Sequence, residues 1–195
     1  MAGGRGELAF ELSVKRQIPC TVLDPRCPGG MSPAPWTSWH VSRQQRLWFK
    51  TCLGIRSYVE CQEYVAKCPL KQCQIGVEEA IEIAAARNQR NTCDTVNTVI
   101  RADWEDVLNC KVVVGLHPDQ ATGGILDLAK VLSCPFAVVP CCTFADDFPE
   151  RRLGDRPVRT YDDLVEWLLA TDTAEKGFLM FFGKNLVVFT KSPST

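Results

Sequence analysis

The chain alternates short apolar runs with amphipathic stretches, and that alternation predicts its elements. Glu7 to Arg16 reads as a helix, with Leu8, Phe10 (or Glu11), Leu12 and Lys15 along one stripe and charges between. Gly3-Gly4-Arg5-Gly6 stands before it, and the apolar run Ile18 to Leu23 follows, ending at Asp24-Pro25. Glycine loop, helix, strand and acidic residue make a nucleotide-type βαβ unit that lacks its opening strand. Only Met1 and Ala2 precede the glycines, so the strand that should carry them is expected upstream of Met1. Proline and glycine between Pro25 and Pro35 mark a loop. Ser42 to Leu53 looks helical, with Leu47, Trp48 and Cys52 on one side, and Val77 to Arg87 is a second helical stretch.

Regular alternation then resumes. Thr95 to Ala102 is β-branched and ends at Asp103-Trp104, and Glu105 to Asn109 is a short turn or helix. Lys111 to Leu116 reads as a buried parallel strand ending at His117-Pro118-Asp119. Gln120 to Leu132 reads as a helix, Pro135 to Val139 as a strand ending at Cys141-Cys142. Thr160 opens a helix to Ala170, with Asp163 three residues on in a near-capping-box arrangement. Phe178 to Phe182 and Asn185 to Thr190 are read as two strands joined by Gly183-Lys184, which requires them to be antiparallel.

Composition narrows the class. The 195 residues are 46% hydrophobic and 23% charged, with a net charge of -1. These values exclude a chain disordered throughout and a globally basic nucleic-acid binder, leaving room for a local basic patch. No apolar run approaches the ~20 residues of a membrane helix. The N-terminus has no apolar signal core and carries Glu7 and Glu11 early. Eleven cysteines, an odd number without the density of a small secreted scaffold, point to a reducing compartment. A cytoplasmic or nuclear location is therefore expected, with no membrane partner.

The glycine loop supplies the first candidate chemistry. Gly4-x-Gly6-x-x-Ala9 fits a dinucleotide fingerprint, and Asp24 lies 20 residues after Gly4. Glycines let the backbone approach a ligand, the helix N-terminus favours anionic groups, and the carboxylate takes ribose hydroxyls. The plainer alternative is a strand-to-helix turn followed by a solvent-exposed Asp. A nicotinamide enzyme would need a second domain for its substrate, and none is legible.

Parallel βα units closed by an antiparallel hairpin resemble the class I S-adenosylmethionine-dependent methyltransferase fold. The resemblance covers about residues 3–24 and 95–190. The His-Pro-Asp turn after one strand and Cys-Cys after the next are similar to a methyltransferase-domain family that includes tRNA ribose-methylating enzymes. That family's loop reads acidic-x-Gly-x-Gly-x-Gly, and here Ala2 stands in place of its first glycine. The resemblance implies an α/β, three-layer, doubly wound Rossmann-like sheet, mostly parallel, with an antiparallel C-terminal hairpin and its first strand missing. It implies one domain over 1–195 with an insertion at about 25–94. It makes Gly3, Gly4 and Gly6 the cofactor loop, Asp24 the ribose ligand, and Asp103 with Trp104 the adenine side. S-adenosylmethionine is the implied cofactor, and RNA modification the implied activity.

His117 and Asp119 stand at a strand's carboxyl end, where ligands bind in open α/β sheets, and either is a candidate general base. The alternative is structural: Pro118 suits a first helical turn, and Asp119 complements the helix dipole. Cys141 is a candidate nucleophile toward a pyrimidine ring; the alternative for Cys141 and Cys142 is a structural thiol lining the cleft. No metal site is expected. Of Cys52, Cys61, Cys68 and Cys73, only the pair Cys68-x4-Cys73 has usable spacing, and no CxxC occurs.

From 25 to 59 the chain holds Arg26, Arg43, Arg46, Lys50 and Arg56 and no acidic residue, interleaved with Trp36, Trp39, His40, Trp48, Phe49 and Tyr58. Cations for phosphates and aromatics for stacking would suit RNA. The alternative is an amphipathic insertion that packs its aromatic residues inward. Two functions follow as expectations: a methyltransferase acting on RNA, or a non-catalytic methyltransferase-like module that binds RNA or protein.

Overall fold

Helix caps and aromatic clustering organise the first part of the chain, and buried β-branched runs the second. The structure, a computed structural model, describes residues 7–24, 41–73, 75–90, 102–171 and 173–191. Gly3, Gly4, Gly6, residues 25–40, where a loop is expected from Pro25 to Pro35, and residues 95–101 of the expected strand lie outside the described residues. The chain divides into two compact units, one over 4–74 and one over 75–195 together with 1–3.

In the 4–74 unit, helix α1 (Glu7–Ala9) continues as a π-helical segment, Phe10–Val14. The wider turn changes the buried face. Ala9, Phe10, Ser13 and Val14 are buried, whereas Leu8 and Leu12 of the expected stripe are only half-buried. Strand β1 (Cys20–Leu23) follows. Helix α2 (Arg43–Trp48) is opened by a capping box between Ser42 and Gln45 and runs into a second π-helical segment, Phe49–Leu53. Gly54, at φ 70°, ends it in the left-handed conformation that glycine adopts without penalty. Helix α3 (Tyr58–Ala66) and strand β2 (Leu70–Cys73) complete the unit.

Phe10, Val14, Val41, Phe49, Cys61 and Val65 form its core, with Trp48, Tyr58 and Tyr64 packed against them. Strands β1 and β2 pair in parallel, from Cys20 opposite Leu70 to Leu23 opposite Cys73. The stretch 25–94 is thus not wholly outside the sheet architecture: its residues Leu70–Cys73 supply a strand. Lys71 and Gln72 interrupt the apolar pattern there, so the sequence carried no strand signal.

In the 75–195 unit, helix α4 (Val77–Arg90) precedes α5 (Ala102–Leu108). Strand β3 (Val113–Leu116) leads through a 3₁₀ turn, Asp119–Ala121, into α6 (Thr122–Val131). Strand β4 (Phe136–Val139) follows, then a small hairpin of β5 (Arg152–Leu153) and β6 (Arg156–Pro157). Helix α7 (Tyr161–Leu169), β7 (Ala174–Phe178) and β8 (Leu186–Thr190) end the unit.

Four strands form one sheet in the order β3-β4-β8-β7. Strands β3 and β4 are parallel, and β8 is antiparallel to both β4 and β7. It follows that β7 runs parallel to β4, with the last strand inserted between them. The architecture is mixed α/β. Gly124 lets α4 approach α6, since a Cβ there would lie 2.5 Å from Val77 Cγ1. The expected strand at Phe178–Phe182 is corrected. The strand is Ala174–Phe178, and Met180 and Phe182 stand fully exposed in the connection to β8. Asn185 Nδ2 donates to the carbonyls of Leu179 (2.8 Å) and Phe181 (3.0 Å), which bends that apolar run into a loop. No described helix is long and apolar enough to cross a membrane.

The capping box expected at Thr160 is present. Asp163 N–H donates to the Thr160 hydroxyl at 3.1 Å, and the Asp163 carboxylate accepts from Thr160 N–H at 2.8 Å and Arg159 N–H at 3.1 Å. Arg156 pairs with Asp163, and with Glu166 at 2.8 Å. The Thr160 contacts and the Arg159 N–H, helped by Arg156, bring the Asp163 carboxyl down from 3.8 to about 2. A depressed carboxyl contributes stability above its unfolded value, and that contribution is lost as pH falls through its folded value. Acid unfolding is therefore expected to steepen between about pH 4 and 2. Asp163→Ala should remove that component and lower the urea midpoint at neutral pH, because Thr160 N–H and Arg159 N–H lose their acceptor. Urea midpoints measured across pH check both.

Candidate functional site at the ends of two parallel strands

Strands β3 and β4 are in register, Leu116 opposite Val139, so the turns that leave them emerge side by side. His117, Pro118 and Asp119 form the first turn. His117 N–H still donates to Val139 O at 3.0 Å, and Pro118 is fully buried. His117 and Asp119 both take left-handed backbone angles, φ 49° and 50°. Asp and His tolerate this region better than most residues, yet two of them around one proline store strain of the kind that collects at functional sites. Asp119 O accepts the Thr122 hydroxyl at 2.7 Å, which ties the turn to the start of α6.

The turn after β4 brings Cys141 and Cys142. Cys141 Sγ donates to Asp119 Oδ1 at 3.0 Å. Burial first, then the hydrogen bond to Asp119, pushes the Cys141 thiol up to about 12. Cys141 is thus a neutral proton donor in this arrangement and carries no standing thiolate for nucleophilic attack. Cys142 is exposed beside it.

A third element reaches the same place from the loop between β7 and β8. His117 Nε2 lies 2.9 Å from Lys184 O; since a carbonyl only accepts, Nε2 carries a proton, which leaves Nδ1 as the nitrogen that can take part in proton transfer. Phe181 packs edge-on to the His117 ring with centroids 6.2 Å apart. The Lys184 ammonium donates to Cys141 O and lies 4.9 Å from the centre of the Tyr161 ring. The Tyr161 hydroxyl is buried with no hydrogen-bond partner, and burial raises its pKa. A ligand atom delivered beside it would satisfy that group. Sequence reading had singled out neither Lys184 nor Tyr161.

The other expected residues fall elsewhere. Asp24 closes β1 in the 4–74 unit, and its side chain is 5% exposed, so it is not the solvated turn residue of the plainer alternative. Asp103 and Trp104 lie within α5, not at the end of a strand; Trp104 is half-buried. The helix wins there because Trp104, Val107 and Leu108 repeat at helical spacing, and Val107 is buried. Among the described residues, no three of the cysteines 52, 61, 68 and 73 converge. Trp48 and Tyr58 are half-buried against the core and Phe49 wholly buried in it, while Arg43, Arg46, Lys50 and Arg56 are exposed. In the described part of 25–59, the aromatics serve the core and the cations face solvent.

No model of a protein family, curated protein or solved structure matches the chain.

Proposed function

We propose that the chain is an S-adenosylmethionine-dependent methyltransferase of the class I type, acting on RNA in the cytoplasm or nucleus. One observation carries the reading: the last strand, β8, lies antiparallel between β4 and β7, which run parallel to each other. An antiparallel closing strand is the feature by which the sequence resembles that Rossmann-like fold. The position of His117, Asp119 and Cys141 at the carboxyl ends of β3 and β4 supports it, since open α/β sheets bind ligands there.

Asp24, a buried carboxylate at a parallel strand's carboxyl end within the 4–74 unit, is the residue to which the resemblance assigns the ribose. Bound S-adenosylmethionine supplies an already activated methyl group, which leaves orientation of the acceptor and removal of its proton to the chain. His117 Nδ1 is the base for that proton, with the ring fixed through Nε2 to Lys184 O. Exposed Arg43, Arg46, Lys50 and Arg56 support RNA as the acceptor through its phosphates.

A second reading, a non-catalytic binding module, draws on the exposed apolar run from Phe178 to Phe182, a surface suited to contact. Calorimetric titration with S-adenosylhomocysteine separates the two. Saturable binding, weakened in Asp24→Ala, together with transfer of labelled methyl to RNA, is the expected result. A folded chain that binds RNA but no S-adenosylhomocysteine at millimolar concentration contradicts the enzyme and favours the module.

A further inference from the structure

The geometry points to a metal site at the ends of β3 and β4, in which Asp119, Cys141 and Cys142 hold one zinc-class divalent cation. The inference rests on the donor atoms alone and stands apart from the methyltransferase reading. One carboxylate oxygen and two sulfurs, from two different turns, lie within 4.8 Å of one another. Among the described residues no other group of three His, Cys, Asp or Glu side chains converges in this way. Tetrahedral zinc takes sulfur at about 2.3 Å and carboxylate oxygen at about 2.0 Å, which sets neighbouring ligand atoms roughly 3.5–3.8 Å apart. The three atoms need only small side-chain rotations to reach those edges.

The chemistry of the set is selective. Two thiols and a carboxylate suit zinc or cobalt(II) and suit magnesium or calcium poorly. The hydrogen bond from Cys141 to Asp119 accounts for two of the three groups in the absence of a metal. The exposed Cys142 thiol, hydrogen-bonded to Cys141, brings the third donor atom to the same place. Binding releases the two thiol protons to solvent. Two thiolates and a carboxylate then carry three negative charges, the cation returns two, and the Lys184 ammonium on the Cys141 carbonyl offsets the remaining one. Three protein ligands leave a fourth position open to water or to a substrate heteroatom, the pattern of reactive zinc sites.

The full chain, reduced and stripped with chelator, is titrated with zinc against a chromophoric chelator, then with cobalt(II) followed by absorbance. One equivalent is expected to bind with thiolate-to-cobalt charge-transfer absorption. Cys142→Ser, a change at an exposed position, and Cys141→Ser should each abolish that absorption or shift it to a weaker form. Asp119→Asn should weaken zinc binding by more than the roughly 10–100-fold lost with an outer-sphere partner. Cys134→Ser is the control, since Cys134 and Cys110 approach to 4.0 Å without a third such ligand among the described residues; it should change nothing. Circular dichroism confirms that each variant is folded. No zinc bound at micromolar free metal, or a stoichiometry and affinity unchanged in folded Cys142→Ser and Asp119→Asn, overturns the site.

Discussion

Phe49→Ala is expected to unfold the 4–74 unit under conditions where the parent chain is stable. Phe49 is 0% exposed and touches Phe10, Trp48 and Tyr64 edge-on, with centroids 5.7, 5.2 and 5.5 Å away. Truncating a buried Phe costs about 3–5 kcal/mol, and each aromatic pair adds about 0.5–1.5 kcal/mol beyond area burial. A whole domain has only about 5–15 kcal/mol to lose. Loss of near-ultraviolet circular dichroism and a lowered urea midpoint are the readouts. An unchanged midpoint with weakened RNA binding would mean that Phe49 is a stacking residue, and the core assignment would be wrong.

Gly115→Val should also destabilise the chain, through the opposite fault. A Cβ at Gly115 would lie 2.2 Å from Ile125 Cδ1 and 3.1 Å from Pro118. Ile125 and Pro118 are both fully buried, so neither can yield without moving α6 or the His117-Pro118-Asp119 turn. Removing a glycine restricts the unfolded chain and returns about 0.4–1 kcal/mol, whereas overpacking costs about 1–3 kcal/mol or more. Overpacking therefore decides the sign, with a net loss near 2 kcal/mol or above. Ile125→Val deletes the atom that clashes. The double variant Gly115→Val/Ile125→Val should be more stable than the sum of the single changes requires. Strict additivity would place the strain elsewhere.

These two positions show what the sequence carried and what it did not. The strand Val113–Leu116 within the run 111–116 and the pair Thr160 and Asp163 were legible because each signal is local: a continuous apolar strand and a cap four residues long. Local signals also misled. Phe178–Phe182 has a strand's composition, but the strand is Ala174–Phe178, a polar sheet-edge segment with Gly177 inside it. The π-helical turns displaced the buried stripe because a period longer than 3.6 cannot be read from residue types. The site was half legible. The order of strands and turns placed His117, Asp119 and Cys141 at strand ends. The contact between Asp119 and Cys141, 22 residues apart, depends on the pairing of Leu116 with Val139, and so does the approach of Cys142. Lys184 and Tyr161 carried no motif; they matter only because the β7–β8 loop and the start of α7 reach the same turns.

The central claim is that the carboxyl ends of β3 and β4 receive the cofactor and acceptor of a methyl transfer. Backbone amide shifts recorded by NMR during titration with S-adenosylhomocysteine test it most directly. Saturable shifts are expected at Leu116, His117, Asp119, Cys141 and Cys142, where the two turns emerge side by side. A titration that leaves those amides unmoved at millimolar ligand, or that moves only the β5–β6 hairpin, contradicts it.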